Sequence, residues 1–141
     1  MSKKITLICE IGCNHRGDMK TAKEMIKVAA EYCKVDIVKF QKRTNKELLS
    51  NDEYNASHPV PENSYGSTYG EHREKLEFTF HQHKILKKEC EKFNVIYSTS
   101  VWDLNAAVEI VKLNPKLIKI PSATNTDMKL LDFLLRNYSG E

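Results

Sequence analysis

The sequence predicts an α/β fold built on a parallel β-sheet, and three observations carry that prediction. Four short apolar runs recur along the 141 residues, and a segment with helical spacing follows each of them. Strict alternation of strands and helices is typical of parallel sheets. Each run also ends in polar or charged residues, and the carboxyl ends of parallel strands are where β/α enzymes place their chemistry. The pattern therefore predicts both an architecture and a set of site residues.

The first two strands are predicted over residues 5–10 and 36–41. The near-continuous apolar character of the first run predicts a strand that is buried on both faces, as parallel strands normally are. Between the two strands, apolar residues recur at helical spacing over about residues 20–33. Asp18 precedes this helix and can cap it through a side-chain oxygen.

A polar stretch over about residues 44–77 interrupts the alternation. It is much longer than the roughly 2–6 residues of an ordinary connection between a strand and a helix. Long insertions of this kind usually cover an active site. Tyr65 and Tyr69 supply apolar surface that disordered loops lack, so we expect an ordered insertion, with a disordered excursion as the alternative.

The two remaining strands are predicted over residues 95–100 and 117–122. The helix before the third strand and the two helices that follow each begin after a residue that can cap the first turn: Thr79, Asp103 and Asp127. Gln82 follows Thr79 at the spacing of a capping box. Four such units form either a complete doubly wound domain or half of an eight-stranded barrel of about 250 residues. No glycine-rich phosphate loop follows the first strand.

Composition and charge exclude several classes of protein. A net charge of +3 is too small to imply a nucleic-acid partner, and 40% hydrophobic with 29% charged residues is typical of a soluble globular chain. No apolar run approaches the roughly 20 residues of a membrane span, and the first residues do not resemble a signal peptide. We therefore expect a cytoplasmic protein with no membrane partner.

The four cysteines form no Cys-x-x-Cys pair, which favours reduced thiols. The five histidines form no metal-ligand set, which favours surface positions.

Charged and hydroxyl side chains at the strand ends form the predicted site. Lys39 and Lys119 lie in otherwise apolar strands, where a lone lysine is costly unless it is paired. Two such lysines repel unless an anion joins them, which favours a phosphate or carboxylate site; a Schiff-base lysine is the alternative. Glu10 is a candidate for proton transfer, or an ion-pair partner of either lysine. Thr99 and Ser122 would add hydroxyl donors to the anion site.

Five segments resemble the N-acetylneuraminate (sialic acid) synthase family, in the family's order and spacing: CEIGCNHRGD at residues 9–18, VKFQ at 38–41, YGEHREKLEF at 69–78, YSTS at 97–100 and KIPS at 119–122. The resemblance implies a (β/α)8 TIM-type barrel, of which residues 1–141 supply about the first four βα units. It also implies that phosphoenolpyruvate condenses with N-acetylmannosamine, or its 6-phosphate, to give N-acetylneuraminate and phosphate.

The resemblance also implies roles for single residues. Four positions match residues that hold phosphoenolpyruvate in the family: Lys39, Thr99, Lys119 and Ser122. Glu10 matches a carboxylate that contacts the sugar acceptor, and Gln41 matches a polar neighbour; Glu10 and Lys39 are the predicted catalytic pair. The complete enzyme is expected to be a homodimer that uses a divalent metal, manganese or magnesium, with ligands outside this chain. Residues 1–141 alone are therefore expected to be inactive.

One departure from the family pattern leaves the substrate open. Thr124 stands where the family often has a carboxylate that serves as acid or base. The chain could therefore belong to a synthase of a related sugar acid, such as legionaminic or pseudaminic acid. A half-barrel that binds phosphorylated ligands without catalysis is the alternative from another class of protein.

Overall fold

The computed structural model describes residues 5–141, which are organised around a four-stranded parallel sheet. The strands stand in chain order across the sheet: β1 (Ile8–Gly12), β2 (Ile37–Lys42), β3 (Ile96–Val101) and β4 (Leu117–Lys119). The predicted α/β class and parallel sheet are confirmed. The outer strands differ most from the predicted ranges, since β1 begins at Ile8 rather than residue 5 and β4 ends at Lys119 rather than residue 122.

Each strand is followed by one long helix, and three short helices lie between β2 and β3. The helices are α1 (Met19–Glu31), α2 (Asn45–Leu48), α3 (Asn51–Asn55), α4 (Tyr69–Lys75), α5 (Phe80–Lys92), α6 (Leu104–Val111) and α7 (Met128–Asn137). The predicted caps of the four long helices are confirmed. The Asp18 carboxylate accepts from the Thr21 amide at 2.6 Å, and Thr79 forms a reciprocal capping box with Gln82.

The insertion over residues 44–77 is ordered as the helices α2, α3 and α4 with a short 3-10 turn at Pro61–Asn63. Ser50 and Glu53 cap α3 reciprocally, which fixes where that helix begins. Gly70 of α4 lies so close to the Tyr54 ring of α3 that an added Cβ would come within 2.4 Å of it. Close packing of these two helices therefore depends on a glycine.

The hydrophobic core lies between one face of the sheet and the long helices. Val38 and Phe40 of β2 are fully buried there, together with apolar residues of the surrounding helices. Parallel strands in chain order need crossover connections, and the right-handedness of such connections puts their helices on one face of the sheet. We call this face the helix face. The opposite face of the sheet carries the polar residues described below.

The prediction that the first strand is buried on both faces is wrong. Ile5, Leu7 and Ile8 are 78%, 49% and 46% exposed. The reason is that β1 is an edge strand among the described residues, so its outer side has no neighbour. A largely apolar groove of about 310 Å³ runs between β1 and α1 on that side, lined in part by Cys9, Met25 and Val28.

The far edge of the sheet, at β4, is similarly apolar. A groove of about 300 Å³ lies between β4 and α7, and Leu135 of α7, which lines it, is 84% exposed. The backbone of Glu141 lies along this edge. Its N–H donates to the Lys116 carbonyl at 3.0 Å, and its carbonyl accepts from Ile118 at 2.9 Å. Glu141 therefore takes a ladder position beside β4.

Two of the five histidines contradict the expectation of surface positions. His15 is 2% exposed and His83 is completely buried. Their position is explained by aromatic neighbours: the His15 ring stacks on Phe78 at 4.1 Å between centroids, and Phe40 lies within 6.5 Å of both imidazole rings. Burial lowers the pKa of His15 to about 4 and that of His83 to about 3. Both imidazoles are therefore neutral at physiological pH.

Among residues 5–141, no helix combines the length and the apolar character that crossing a membrane would require.

Candidate functional site

The candidate site is the face of the sheet opposite the helix face. The strand register places Glu10 opposite Lys39, and Ser100 opposite both Gln41 and Lys119. Paired residues of neighbouring strands point to the same side of a sheet. One surface, which we call the polar face, therefore carries a row of polar side chains: Glu10, Lys39, Gln41, Ser98, Ser100 and Lys119.

Lys39 is the centre of the polar face. It is only 6% exposed, and its ammonium forms an ion pair with the Glu10 carboxylate and donates to the Ser100 hydroxyl at 3.3 Å. A buried ammonium is costly unless it is paired and hydrogen-bonded. The sequence left open whether Glu10 pairs with a lysine or serves in chemistry; here Glu10 pairs with Lys39 while remaining 59% exposed itself.

Thr99 does not lie on the polar face. Its register partners are Phe40 and Ile118, both of which belong to the core on the helix face, and Thr99 is fully buried there. The next residue, Ser100, points to the Lys39 side because successive side chains of a strand alternate between faces. Ser100 is therefore the hydroxyl of β3 that contacts Lys39, and the binding role of Thr99 stays a prediction. Side chains two residues apart along a strand point to the same face. The face of each β3 side chain could therefore have been predicted only if the register of β3 with β2 were known.

Gln41 lies beside the end of β1, where the ladder is irregular. The pairing shifts between Glu10 and Gly12, so Ile11 is an extra residue of a bulge. Gly12 has a φ of +58°, and an added Cβ would lie 3.3 Å from the Gln41 side-chain nitrogen. The bulge and the glycine together bring the backbone of β1 close to Gln41.

Lys119 and Ser122 lie at the opposite end of the polar face, and both are exposed. Two strand spacings separate β4 from β2, and Lys119 lies two residues further along the sheet than Lys39, so their backbones stand about 12 Å apart. Ser122 begins the 3-10 turn Ser122–Thr124. The hydroxyl of Thr124 in this turn is buried without a hydrogen-bond partner among the described residues.

A buried ion pair connects the loops around the carboxyl ends of β1 and β2. Arg43 forms an ion pair with Glu77, and its second terminal nitrogen lies 3.1 Å from the Cys13 sulfur. Burial raises the pKa of Glu77, although the guanidinium of Arg43 opposes this shift. Glu77 also accepts from the Arg43 backbone amide at 3.0 Å. The end of the insertion is thus fixed to β2 and to the β1–α1 turn.

Asp103 makes a second connection at the same end of the sheet. One carboxylate oxygen caps α6 by accepting from the Ala106 amide at 2.7 Å, and the other accepts from the Thr44 amide at 2.7 Å. The cap was predictable from the sequence because it is local. The contact with Thr44 was not, because it joins residues 59 positions apart.

The polar face shows no arrangement typical of a metal centre. Within residues 5–141, no three histidine, cysteine or carboxylate side chains come together as a metal-binding group would require. His15 and His83 lie on the helix face, where His83 contacts the Tyr97 hydroxyl at 2.7 Å. The polar face therefore carries lysines and hydroxyls, with the Glu10 carboxylate beside them.

Comparison with known proteins places this geometry in context. A model of the NeuB family matches residues 25–139. The human N-acetylneuraminate-9-phosphate synthase is 34% identical over 131 residues, which cover 89% of this chain and 34% of the human protein. The N,N'-diacetyllegionaminic acid synthase of Campylobacter jejuni is 31% identical over 129 residues, covering 92% of this chain and 38% of that protein. The chain thus spans little more than a third of the length of these relatives.

Solved structures resemble the fold at lower sequence identity. The N-acetylneuraminic acid (sialic acid) synthetase of Leptospira borgpetersenii, crystallised in complex with citrate, superposes with a TM-score of 0.76 at 22% identity. The match covers 96% of this chain and 42% of that one. The spore coat polysaccharide biosynthesis protein spsE of Bacillus subtilis gives a TM-score of 0.68 at 24% identity, over 96% of this chain and 34% of that one. At these identities the likeness concerns the fold alone.

Proposed function

Because the chain belongs to the NeuB family, we propose that the protein carrying it condenses phosphoenolpyruvate with an N-acetylated amino sugar and releases phosphate. The observation that carries this proposal is the polar face, where Lys39 is nearly buried and Lys119 lies two strands away. Phosphoenolpyruvate carries a phosphate and a carboxylate, and charge-assisted hydrogen bonds to both would satisfy two lysines.

Different residues of the polar face would bind the two substrates, the donor phosphoenolpyruvate and the acceptor sugar. Lys39 and Lys119 would bind the anionic groups of phosphoenolpyruvate, with hydrogen bonds from Ser100 and from Ser122. An incoming anion would compete with Glu10 for the Lys39 ammonium. The released Glu10 carboxylate could then accept a hydrogen bond from a hydroxyl of the acceptor sugar, with Gln41 beside it.

The architecture proposed for the whole protein is a (β/α)8 barrel, of which these four units would be part. Apolar grooves at both edges of the sheet support this proposal, because each exposes apolar surface of a strand and a helix that a further βα unit could cover. The manganese or magnesium implied by the family would have to be held elsewhere, since the described residues do not fit a metal site. The homodimer and the cytoplasmic location remain predictions.

The acceptor is the open part of the proposal. N-acetylmannosamine, or its 6-phosphate, is the first candidate, supported by the name of the human relative. The precursor sugar of diacetyllegionaminic acid is the second, supported by the name of the Campylobacter relative at nearly the same identity. The unusual Thr124 is compatible with either acceptor.

Phosphate release tests the proposal directly. The protein carrying this sequence is incubated with phosphoenolpyruvate, manganese and each of the three acceptors in turn. We expect release with one acceptor, and much slower release in the Lys39→Met variant at a phosphoenolpyruvate concentration near the KM of the parent. The variant Lys42→Met is the matched control, because Lys42 lies in the same strand but contacts the Phe78 carbonyl and Glu109 instead of the polar face. Binding of phosphoenolpyruvate without release by any acceptor would favour the non-catalytic alternative.

A further inference from the structure

His15 lies at the centre of the turn that joins β1 to α1. Its Nδ1 atom accepts from the Gly17 amide at 3.0 Å, and the imidazole also hydrogen-bonds the backbone of Gly12. Gly12 and Gly17 both have positive φ angles, +58° and +72°, so the turn bends sharply at each end. The single imidazole ring thus connects the two bends across the turn.

Aromatic contacts hold the ring in place on its other side. The imidazole stacks on Phe78 at 4.1 Å and lies 6.0 Å from the Phe40 ring of β2. Because the site is buried, the imidazole is neutral and has one donor and one acceptor nitrogen. One ring nitrogen can therefore accept from the Gly17 amide, while the other donates to the backbone carbonyl of Gly12.

The position of the turn determines the position of Glu10. The Glu10 carboxylate forms its ion pair with Lys39 from the strand residue directly before the bulge, which ends at Gly12. The Glu10 side chain is 59% exposed, so its direction depends on its backbone position and on the ion pair with Lys39. A shift of Gly12 would therefore move the carboxylate relative to Lys39.

We propose that His15 is a positioning residue that holds the Glu10 carboxylate in register with Lys39 for reaction with the acceptor. This inference rests on the proposed function, in which Glu10 contacts the acceptor sugar. His15 does not touch the polar face itself, so its effect is transmitted through Gly12 and the bulge. A plain packing role would require only the volume and the stacking of the ring.

Two variants separate positioning from packing. His15→Phe keeps an aromatic ring for stacking on Phe78 but removes both hydrogen bonds to the turn. His83→Phe is the matched control, because His83 is equally buried among the same aromatic rings but contacts the Tyr97 hydroxyl instead of the turn. We expect His15→Phe to lower kcat/KM for the acceptor at least about tenfold, as loss of an oriented group does, with the KM for phosphoenolpyruvate nearly unchanged. His83→Phe should leave both constants within about twofold.

A double-mutant cycle with Glu10→Gln tests the route of the effect. If His15 acts through Glu10, the loss caused by His15→Phe shrinks to less than about threefold in the Glu10→Gln background. Independent losses that multiply would overturn the inference. Should His15→Phe fail to fold, His15→Asn takes its place, because the asparagine oxygen can accept from the Gly17 amide; we expect a smaller loss that is again coupled to Glu10, and uncoupled losses would again overturn the inference.

The outcomes also separate this inference from the proposed function. A Glu10→Gln variant with full activity would contradict the proposed role of Glu10, whereas an active site that needs Glu10 but shows no coupling would contradict only the role of His15. If the protein releases no phosphate, amide hydrogen exchange can still test whether His15 holds the β1–α1 turn in place. Exchange at residues 10–12 and at Gly17 should rise in His15→Phe and not in His83→Phe, and equal exchange in both would refute the positioning of the turn.

Discussion

Mild acid should destabilise this fold through its two buried histidines. The pKa of His15 is about 4 and that of His83 about 3 in the folded chain, against 6.5 for an ordinary histidine. Desolvation is the main cause in both, and nearby cations, Arg43 for His15 and Lys42 for His83, add to it. Asp18 and the Gly12 backbone favour the charged form of His15, but burial outweighs them.

The direction of the effect follows from which state binds the protons. Between pH 6.5 and the folded pKa values, the unfolded chain carries charged imidazoles that the folded chain does not. Stability is therefore complete above the unfolded value and falls as the pH drops through this window. At about pH 5 each histidine is about 1.5 pH units below its unfolded pKa, which corresponds to about 2 kcal/mol per histidine at ~1.4 kcal/mol per unit. The two together remove a large part of the 5–15 kcal/mol by which typical domains are stable.

Two measurements on the same samples check this prediction. Titration of the imidazole Cε1–H signals by NMR gives the pKa values directly, with His15→Phe and His83→Phe used for assignment. Urea unfolding at neutral pH and at about pH 5 gives the change in the free energy of unfolding. We expect His15→Phe to lose about half of the acid sensitivity of the parent, because one of the two neutral imidazoles is gone.

The reasoning would be refuted if either buried histidine titrated near 6.5, since burial would then not disfavour its charged form. It would equally fail if the acid sensitivity of the parent and of His15→Phe were the same.

Three further predictions concern the donor site, the insertion and the metal. Lys39→Met should raise the KM for phosphoenolpyruvate at least about tenfold while changing the urea midpoint little, because a buried ammonium replaced by an apolar chain costs little stability; an unchanged KM would contradict the donor site. Gly70→Ala should lower the melting temperature measured by circular dichroism, because its Cβ would clash with the Tyr54 ring, and an unaltered melt would contradict the packing of α3 on α4. Adding a chelator to the active protein should abolish phosphate release, and persistent release would contradict the metal-dependent reaction.

Local signals in the sequence predicted most of the elements. The capping residues Asp18, Thr79, Asp103 and Asp127 stand where the long helices begin, because each contacts backbone amides two or three residues ahead. Such contacts depend on a few neighbouring residues and little on tertiary context. The order of strands and helices followed from the same local patterns.

Properties that depend on distant residues were harder to predict. A shift of one residue moves every side chain of a strand to the other face, and the sequence alone did not reveal that Ser100, next to Thr99, shares a face with Lys39. The burial of His15 depends on Phe78, and that contact exists only because the insertion returns to the β1–α1 turn. The exposure of Ile8 depends on β1 being an edge strand among the described residues, which the apolar run itself does not reveal.

The order of the strands has a consequence for how the chain folds during synthesis. Since β1, β2, β3 and β4 stand side by side in chain order, each new unit leaving the ribosome can dock on an edge that already exists. Strand contacts form between consecutive units, which keeps the sequence separation of paired strands smaller than in a sheet whose neighbours are distant in the chain. The insertion is the exception, because pairing Lys39 with Ser98 closes a loop twice as long as pairing Glu10 with Lys39. Doubling a loop costs only about 0.6 kcal/mol, so the insertion adds little to the cost of pairing β3 with β2.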